Sequence, residues 1–204
     1  MCATSTETLP VDVGRAPEIE LECSDADIMN RSVSDPRAFE LIYGRYASVL
    51  HRYVARRMGS AVADDVTSEV FLIAFRGRQS FDLEADSALP WLYGIATNVI
   101  RRHWRTERNH HRTIERTGID PVVAYDHADA VVSQVNASAL HKRLSGALGR
   151  LSRKEYEVLV LVTWEELTYD GVAQALDIPV GTVRSRLNRA RRRLRDILQT
   201  SDEN

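Results

Sequence analysis

Two runs of arginine dominate the charge pattern of this chain. Positions 184–195 contain seven arginines and no acidic residue, and positions 101–116 contain six arginines against two glutamates. Of the 27 basic residues, only Lys142 and Lys154 are lysine. A planar guanidinium group binds phosphate oxygens and guanine edges through two parallel hydrogen bonds. The clustering therefore predicts contacts with nucleic acid, which the net charge of −2 would not suggest.

Side chains suited to covalent or metal chemistry are not grouped in the sequence. The acidic residues that an enzyme acting on nucleic acid would need are spread along the chain, with nine of the 29 in residues 1–40 and four in residues 112–135. The two cysteines are spaced unlike metal ligands. His103, His110 and His111 lie within the run at 101–116, but no cysteine or carboxylate arrangement completes a metal site with them. We expect no catalytic residue, no metal and no cofactor, and we assign these histidines to the basic surface.

Composition limits the class of protein further. The chain has 204 residues, of which 44% are hydrophobic and 27% charged, as in a globular protein. No apolar run approaches the roughly 20 residues that span a bilayer, and the N-terminus lacks the pattern of a secretory signal. Two cysteines near the N-terminus do not make a disulfide framework. We therefore expect a cytoplasmic protein without membrane insertion.

Helical periodicity predicts a three-helix bundle over residues 31–112. An acidic stretch, residues 1–30, comes before it; this stretch lacks clear periodicity and is interpreted as a flexible tail. The first helix begins at a cap provided by Ser34 or Asp35, and Gly59 ends it.

A second helical unit is predicted over residues 137–198. It follows a flexible linker, residues 113–136, and a short tail, residues 199–204, comes after it. Ser152 and Glu155 form a capping-box pattern at the start of one of its helices. No alternation of apolar and polar residues is long enough for a strand. We therefore expect an all-α protein of two small helical domains joined by a flexible linker.

The segment 168–187 has the pattern of a helix, a three-residue turn and a second helix. Thr168 caps the first helix, and the turn covers residues 177–179. Such a unit places the N-terminal end of its second helix in the major groove of DNA. A merely solvated helix usually alternates its charges, whereas this one carries a single sign until Asp196. The side chains that we expect to contact DNA are Thr182, Arg184, Ser185, Arg186, Asn188, Arg189 and Arg192.

These motifs resemble bacterial RNA polymerase sigma factors, most closely the extracytoplasmic-function subfamily, which forms group 4. Residues 167–191, with the run Ile-Pro-Val-Gly-Thr-Val-Arg, resemble region 4 of the family. Residues 64–76, with Glu-Val-Phe-Leu, resemble region 2.2, the polymerase-binding helix. Residues 90–102, with Pro-Trp-Leu-Tyr-Gly-Ile-Ala-Thr-Asn, resemble regions 2.3 and 2.4. Two separate motif sets thus occur in the order and spacing expected of the family.

The resemblance implies a sigma factor that binds core RNA polymerase and directs promoter-specific transcription initiation. Residues 31–112 would form domain 2, which reads the −10 element, and residues 137–198 would form domain 4, which reads the −35 element. The −10 contacts would come from Asn98, Arg101, Arg102 and Arg105. The polymerase-binding residues would be Asp65, Glu69, Phe71, Phe75 and Arg76.

Some of these assignments have alternatives. Core packing explains Phe71 nearly as well as polymerase binding does. The loop from Arg78 to Leu89 is expected to capture an unstacked base, with Trp91 and Trp104 as candidates for stacking. For Trp91, a place in the core is the stronger interpretation, because it belongs to the apolar stripe of its helix.

The chain departs from the family pattern at two positions. Ser68 stands where a glutamine is usual, which weakens the expected contact with polymerase. Gly171 replaces a helix former in the first helix of the DNA-binding unit and costs roughly 1 kcal/mol of helix stability.

Two questions about partners remain open at this level. Members of the group are often held by an anti-sigma protein, and the sequence does not decide whether this chain has such a partner. The strongest alternative function is a stand-alone helix-turn-helix regulator that acts as a dimer. Nothing in the sequence resembles the coiled coil or the ligand pocket that such a regulator would use.

Overall fold

The computed structural model describes residues 23–114 and 144–200, and all regular structure within these ranges is helical. The helices of domain 2 are α1 (Asp25–Ser34), α2 (Phe39–Met58), α3 (Ala63–Gly77) and α4 (Leu89–Ile114). In domain 4, helical residues 144–149 come before α5 (Arg153–Thr163), α6 (Tyr169–Leu176) and α7 (Val180–Thr200). The all-α prediction is confirmed. None of the helices in these ranges combines the length and the apolar character needed to cross a bilayer.

Helix α1 corrects the predicted extent of the N-terminal tail. Residues 25–30 were assigned to the flexible stretch 1–30, but they form the first half of a helix. Ser24 caps this helix, and Ile28 and Met29 are fully buried against the rest of domain 2. The domain therefore has four helices where the sequence predicted three.

Several predicted boundaries lie outside the described residues. They are the tail up to residue 22, residues 115–136 of the linker and residues 137–143 at the start of the second helical unit. The last residues of the tail 199–204 lie outside as well. Within the described residues, α4 continues to Ile114 and α7 to Thr200, so the predicted linker and C-terminal tail begin slightly too early.

The helix ends follow the local signals in the sequence. Gly59 ends α2 with φ of +82°, a conformation that costs glycine little. The Ser152 hydroxyl accepts a hydrogen bond from the Glu155 N–H, and the Glu155 carboxylate accepts one from the Ser152 N–H, which completes the predicted capping box. The Thr168 hydroxyl accepts a hydrogen bond from the Gly171 N–H at 3.0 Å and so begins α6.

The two domains pack directly against each other, because α4 of domain 2 lies along α6 of domain 4. Buried side chains of both domains belong to one continuous hydrophobic core. Gly94 lies so close to α6 that a Cβ atom on it would be 2.7 Å from the carbonyl oxygen of Ala175. On the other side of the contact, a Cβ on Gly171 would be 3.5 Å from Pro90 Cγ. That distance is an ordinary van der Waals contact, so the approach of the two helices does not by itself require a glycine at position 171.

Candidate nucleic-acid interface

Helix α7 has one buried face and one face open to solvent. Val183, Leu187 and Ala190 are at most 1% exposed and fix the helix in domain 4. The residues predicted to read the −35 element lie away from this buried face. Arg184, Ser185, Asn188, Arg189 and Arg192 are exposed, whereas Thr182 and Arg186 are half-buried. The structure therefore brings the predicted set together on one helix, with all of its members except Arg192 in the N-terminal half, as a major-groove reader requires.

The turn between α6 and α7 determines the direction of the recognition helix. Asp177 adopts the left-handed conformation, with φ of +51°, which aspartate tolerates better than most residues. Its N–H donates to the carbonyl oxygens of Ala173 and Gln174. The Ile178 N–H also donates to the Ala173 carbonyl, at 3.0 Å. These bonds close the end of α6, so that α7 begins at Val180 in a fixed orientation.

One arginine of the run on α7 binds another residue of domain 4. Arg193 donates a hydrogen bond of 2.9 Å to Glu155, the residue that also completes the cap of α5. Burial by itself raises the pKa of the Glu155 carboxyl, but hydrogen bonds from Ser152 and the charge of Arg193 hold it below its ordinary value. Arg193 thus fastens the recognition helix to the start of α5.

The predicted −10 residues on helix α4 differ in their exposure to solvent. Asn98, Arg102 and Arg105 are exposed, whereas Arg101 is half-buried and turned toward domain 4. Its guanidinium donates through Nε and Nη2 to the two carboxylate oxygens of Glu157, at 2.9 and 2.5 Å. This pair of hydrogen bonds raises the pKa of Arg101, and burial opposes the rise. In this structure the guanidinium binds a carboxylate of α5 with the geometry in which it would bind a phosphate.

Glu69 joins the predicted polymerase-binding helix to the predicted DNA-binding helix. Its carboxylate pairs with Arg102 and lies 3.1 Å from the Nε2 atom of His103, from which it accepts a hydrogen bond when that nitrogen carries a proton. The two predicted sets are therefore neighbours on the surface of domain 2. His103 is used in this pairing, and among residues 23–114 and 144–200 no three side chains of His, Cys, Asp or Glu are grouped to hold a metal.

The predicted polymerase-binding surface needs one correction. Phe71 is only 5% exposed and belongs to the core, in agreement with the alternative given for it. Phe75 is half-buried and packs edge-on against Phe39, with 5.4 Å between ring centroids. The exposed apolar residues beside Phe71 are Tyr43 and Leu72, which are 52% and 46% exposed. Sequence reasoning missed both of them.

The remaining members of the predicted polymerase-binding set agree better with that role. Asp65 and Arg76 are exposed, and Glu69 is half-buried. They place charged groups on α3 near the exposed apolar residues Tyr43 and Leu72. An apolar centre with a charged rim is the usual composition of a protein–protein interface.

The two tryptophans proposed for base stacking both have partners in the protein. Trp91 packs edge-to-face against the buried Phe81, with ring centroids 5.4 Å apart. Trp104 faces the guanidinium groups of Arg57 and Arg153, at 5.3 and 5.5 Å from the ring centroid. Trp91 therefore supports the loop from inside, as its core interpretation predicts.

Asp25 connects α1 to the end of the loop that comes before α4. Its carboxylate accepts hydrogen bonds from Arg45 at 2.7 Å, from the Ala88 N–H at 2.7 Å, from Ser87 at 3.2 Å and from Tyr46. Burial alone raises the pKa of Asp25, but these hydrogen bonds together hold it below its ordinary value. Burial together with the bond to Asp25 raises the pKa of Tyr46 to about 12. The ionised carboxylate thus holds the loop end in place.

Replacing Asp25 by asparagine should lower the free energy of unfolding at pH 7 by about 2 kcal/mol, because an amide group cannot accept from donors on both sides. The folded state lowers the pKa of Asp25, so the stabilisation is complete above the ordinary pKa near 4 and is lost as the pH falls through the lower folded value. The difference in the free energy of unfolding between the wild type and the Asp25→Asn protein should therefore become smaller in acid. Denaturant unfolding from pH 7 to pH 3 measures it. Asp27→Asn, an exposed change in the same helical turn, is the control; an equal loss there would contradict the prediction.

Comparison with known proteins agrees with these features. Residues 42–110 match the family model "Sigma-70 region 2", and residues 147–196 match "Sigma-70, region 4". The chain is 30% identical to the ECF RNA polymerase sigma-E factor of Haemophilus influenzae over 81% of this chain and 89% of that protein. It is also 30% identical to the ECF RNA polymerase sigma factor SigW of Bacillus subtilis, over 81% of this chain and 91% of that protein.

A solved structure shows the same fold. The sigma factor RpoE of Bartonella quintana, in complex with the anti-sigma factor NepR, superimposes with a TM-score of 0.59 at 20% identity, over 79% of this chain and 96% of that one. The helical fold, the two family regions and the full-length relatives lead to one conclusion. The chain belongs to the ECF family of RNA polymerase sigma factors.

Proposed function

We propose that this sigma factor reads the −35 element through the solvent-facing side of α7 and the −10 element through α4. The observation that carries the proposal is the arrangement of α7, where Arg184, Ser185 and Asn188 are exposed while Val183 and Leu187 are buried. Arginine and asparagine side chains can recognise guanine and adenine edges in the major groove through paired hydrogen bonds. Thr182, Arg186, Arg189 and Arg192 complete the proposed −35 set.

On domain 2 we assign the −10 element to Asn98, Arg101, Arg102 and Arg105. The loop over residues 78–88, held by Asp25 at its end, would receive the unstacked base. Extraction of a base costs a few kcal/mol, which a fitted pocket offsets.

Core polymerase would bind the adjoining surface of α2 and α3. The charged members are Asp65, Glu69 and Arg76, and the apolar centre consists of Tyr43 and Leu72, with Phe71 and Phe75 supporting it from beneath. We place the boundary of domain 2 near residue 24, so that α1 is included. Domain 4 covers residues 137–198.

We further propose that the protein works in the cytoplasm, where core polymerase acts, and that an anti-sigma protein is one of its partners. The relative from Bartonella quintana was solved with such a protein. The exposed Tyr43 and Leu72 are the features of domain 2 that an inhibitor would need to cover, because polymerase would use the same residues.

The decisive experiment is co-elution with core RNA polymerase, followed by run-off transcription from a pool of promoters. We expect a one-to-one complex that selects promoters with two spaced elements. A protein that does not bind core polymerase but binds a palindromic DNA site would instead be a stand-alone regulator, and the proposal would then be wrong.

A further inference from the structure

Helix α1 holds the start of the loop that is assigned to the unstacked base, residues 78–88, which we call the capture loop. The Arg78 guanidinium donates through Nε to the carbonyl oxygen of Ser32 at 2.9 Å and through Nη1 to that of Phe75 at 2.6 Å. Its central carbon also lies 4.1 Å from the centroid of the Phe75 ring. A planar guanidinium that donates in two directions and stacks on a ring is fixed in orientation. The first residue of the capture loop is therefore tied to the last turn of α1 and to α3.

The opposite end of α1 holds the other end of the capture loop. The Asp25 carboxylate accepts hydrogen bonds from the Ala88 N–H at 2.7 Å and from the Ser87 hydroxyl at 3.2 Å. The Ser87 oxygen in turn accepts one from the Leu89 N–H at 3.1 Å. These N–H groups lie at the start of α4, where the helix itself offers them no acceptor and where its dipole favours a negative charge. Asp25 thus caps α4 from another helix.

Helix α2 fixes the position of the Asp25 carboxylate. The Tyr46 hydroxyl contacts one of its oxygens and lies 3.1 Å from the Ser87 hydroxyl. Arg45 donates to the other oxygen at 2.7 Å and to the carbonyl oxygen of Cys23 at 2.7 Å. Both carboxylate oxygens are therefore used, and α1, α2 and the end of the capture loop meet in one hydrogen-bonded network.

The capture loop has fixed ends and a centre that is open to solvent. Its two attachment points on α1, Asp25 and Ser32, are seven positions or about 10 Å apart at 1.5 Å per residue. Phe81 is buried and holds the loop from inside. The exposed residues between Phe81 and Ser87 are Asp82, Leu83, Glu84 and Asp86. A loop whose ends are already fixed loses less conformational freedom on binding than a loose one, so the affinity for its ligand is higher.

We propose that α1 positions the capture loop for the unstacked base of the −10 element, and that Asp25 is a positioning residue that acts through Ser87 and Ala88. The proposal rests on the proposed function of this loop. Asp25 is buried, so it would act without touching DNA. Its loss should therefore weaken recognition of the unstacked base and leave binding to core polymerase and to the −35 duplex unchanged.

Two substitutions in the network test this role. Asp25→Asn keeps the size of the side chain but replaces one acceptor oxygen by a donor. Tyr46→Phe keeps the aromatic ring and removes only the hydroxyl that contacts Asp25 and Ser87. The second variant retains the packing of the ring, so it provides the test by itself if the asparagine variant does not fold.

Each variant has a control in the same helix. Asp27→Asn makes the first change at an exposed position two residues further along α1. Tyr53→Phe makes the second change two turns later in α2, where the hydroxyl is buried and is bonded to Thr97 and Arg57. The Tyr53→Phe protein therefore reports the loss of a buried hydrogen bond that does not involve the capture loop.

The measurement is the affinity of the holoenzyme for the single-stranded non-template −10 segment of one promoter that the wild type selects. Each strand is used intact and with one base removed, position by position. For the wild type, removal of the captured base should lower the affinity on the order of tenfold, because the base no longer contributes its stacking contacts. For Asp25→Asn and Tyr46→Phe this ratio should fall to about twofold or less, because the loop must first be ordered. The abasic strand should bind all five proteins with the same affinity, and both controls should keep the wild-type ratio.

The positioning role is overturned if Tyr46→Phe keeps the wild-type ratio, or if its affinity for the intact and the abasic strand falls equally, as a general loss of stability would cause. The wild-type measurement separates this outcome from a failure of the proposed function. A wild-type holoenzyme that selects promoters but tolerates the removal of every single base refutes the capture loop itself, and the positioning role with it. A clear wild-type ratio that the variants retain refutes the positioning role alone.

Discussion

Joint replacement of Arg184 and Arg186 by alanine should lower the affinity of domain 4 for its −35 element on the order of a hundredfold. Each paired arginine–base contact contributes roughly 1 to 3 kcal/mol to the discrimination between bases. The loss should therefore be larger on the correct element than on an altered one. Binding of the holoenzyme to both duplexes at a fixed salt concentration measures the difference.

Arg195→Ala provides the control for this prediction. Arg195 is exposed on the same helix, 11 residues or about 16 Å beyond Arg184, and its removal takes away half of the positive charge that the double variant loses. If it contacts DNA at all, it should contact phosphate, and its loss should weaken binding to correct and altered elements equally. If the double variant also weakened both elements equally, base reading by Arg184 and Arg186 would be refuted.

The second large effect concerns core polymerase. Leu72→Glu should reduce the affinity for core polymerase on the order of a hundredfold, because the change places an unpaired charge at the apolar centre of the proposed interface. Leu72 is 46% exposed in the free protein, so the fold should tolerate the glutamate. Competition with a labelled sigma factor for core polymerase, in the absence of DNA, measures the affinity.

A second exposed leucine makes the matched control. Leu83 is 47% exposed and lies in the loop before α4, outside the proposed polymerase-binding set. Leu83→Glu should leave the affinity for core polymerase within about twofold of the wild type, as surface substitutions usually do. Equal affinities of the two variants would place Leu72 outside the interface.

The features that could be predicted from the sequence depend on neighbours in the chain. Asp35 accepts a hydrogen bond from the Arg37 N–H and so caps the 3-10 turn Pro36–Ala38 that leads into α2, whereas α2 itself begins after Ala38 without a side-chain cap; the signal at Asp35 depends on residue types within two positions of each other. The same holds for the capping box of Ser152 and Glu155. The exposed face of α7 was predictable as well, because Val183 and Leu187 are one helical turn apart and identify the buried side.

The features that were missed depend on residues far apart in the chain. In the sequence, Asp25 belongs to an acidic stretch that is typical of a flexible tail. In the structure, its carboxylate binds Arg45, 20 positions away, and the N–H of Ala88, 63 positions away. Likewise, nothing local pairs Arg101 with Glu157, at a separation of 56 positions. Local patterns carry no information on such pairs, which become visible only when the helices are assembled.

The surface of α3 shows a related limit. Apolar residues occur on more than one side of this helix, and periodicity alone cannot tell which side faces α2 and α4. Phe71 was therefore assigned to the interface and is in the core, whereas Leu72, the next residue, is exposed. Adjacent residues on a helix point about 100° apart, so a small error in the assumed orientation exchanges their roles.

The position of Trp104 gives the protein an optical reporter of its own. Its indole ring belongs to domain 2 but faces Arg153 of domain 4 across the contact between the domains. Water would replace that neighbour if the domains separated, and indole emission shifts to longer wavelength when its surroundings become wetter. Any separation of the two domains could thus be followed by rapid-mixing fluorescence without a dye, once the signals of Trp91 and Trp164 are removed by substitution.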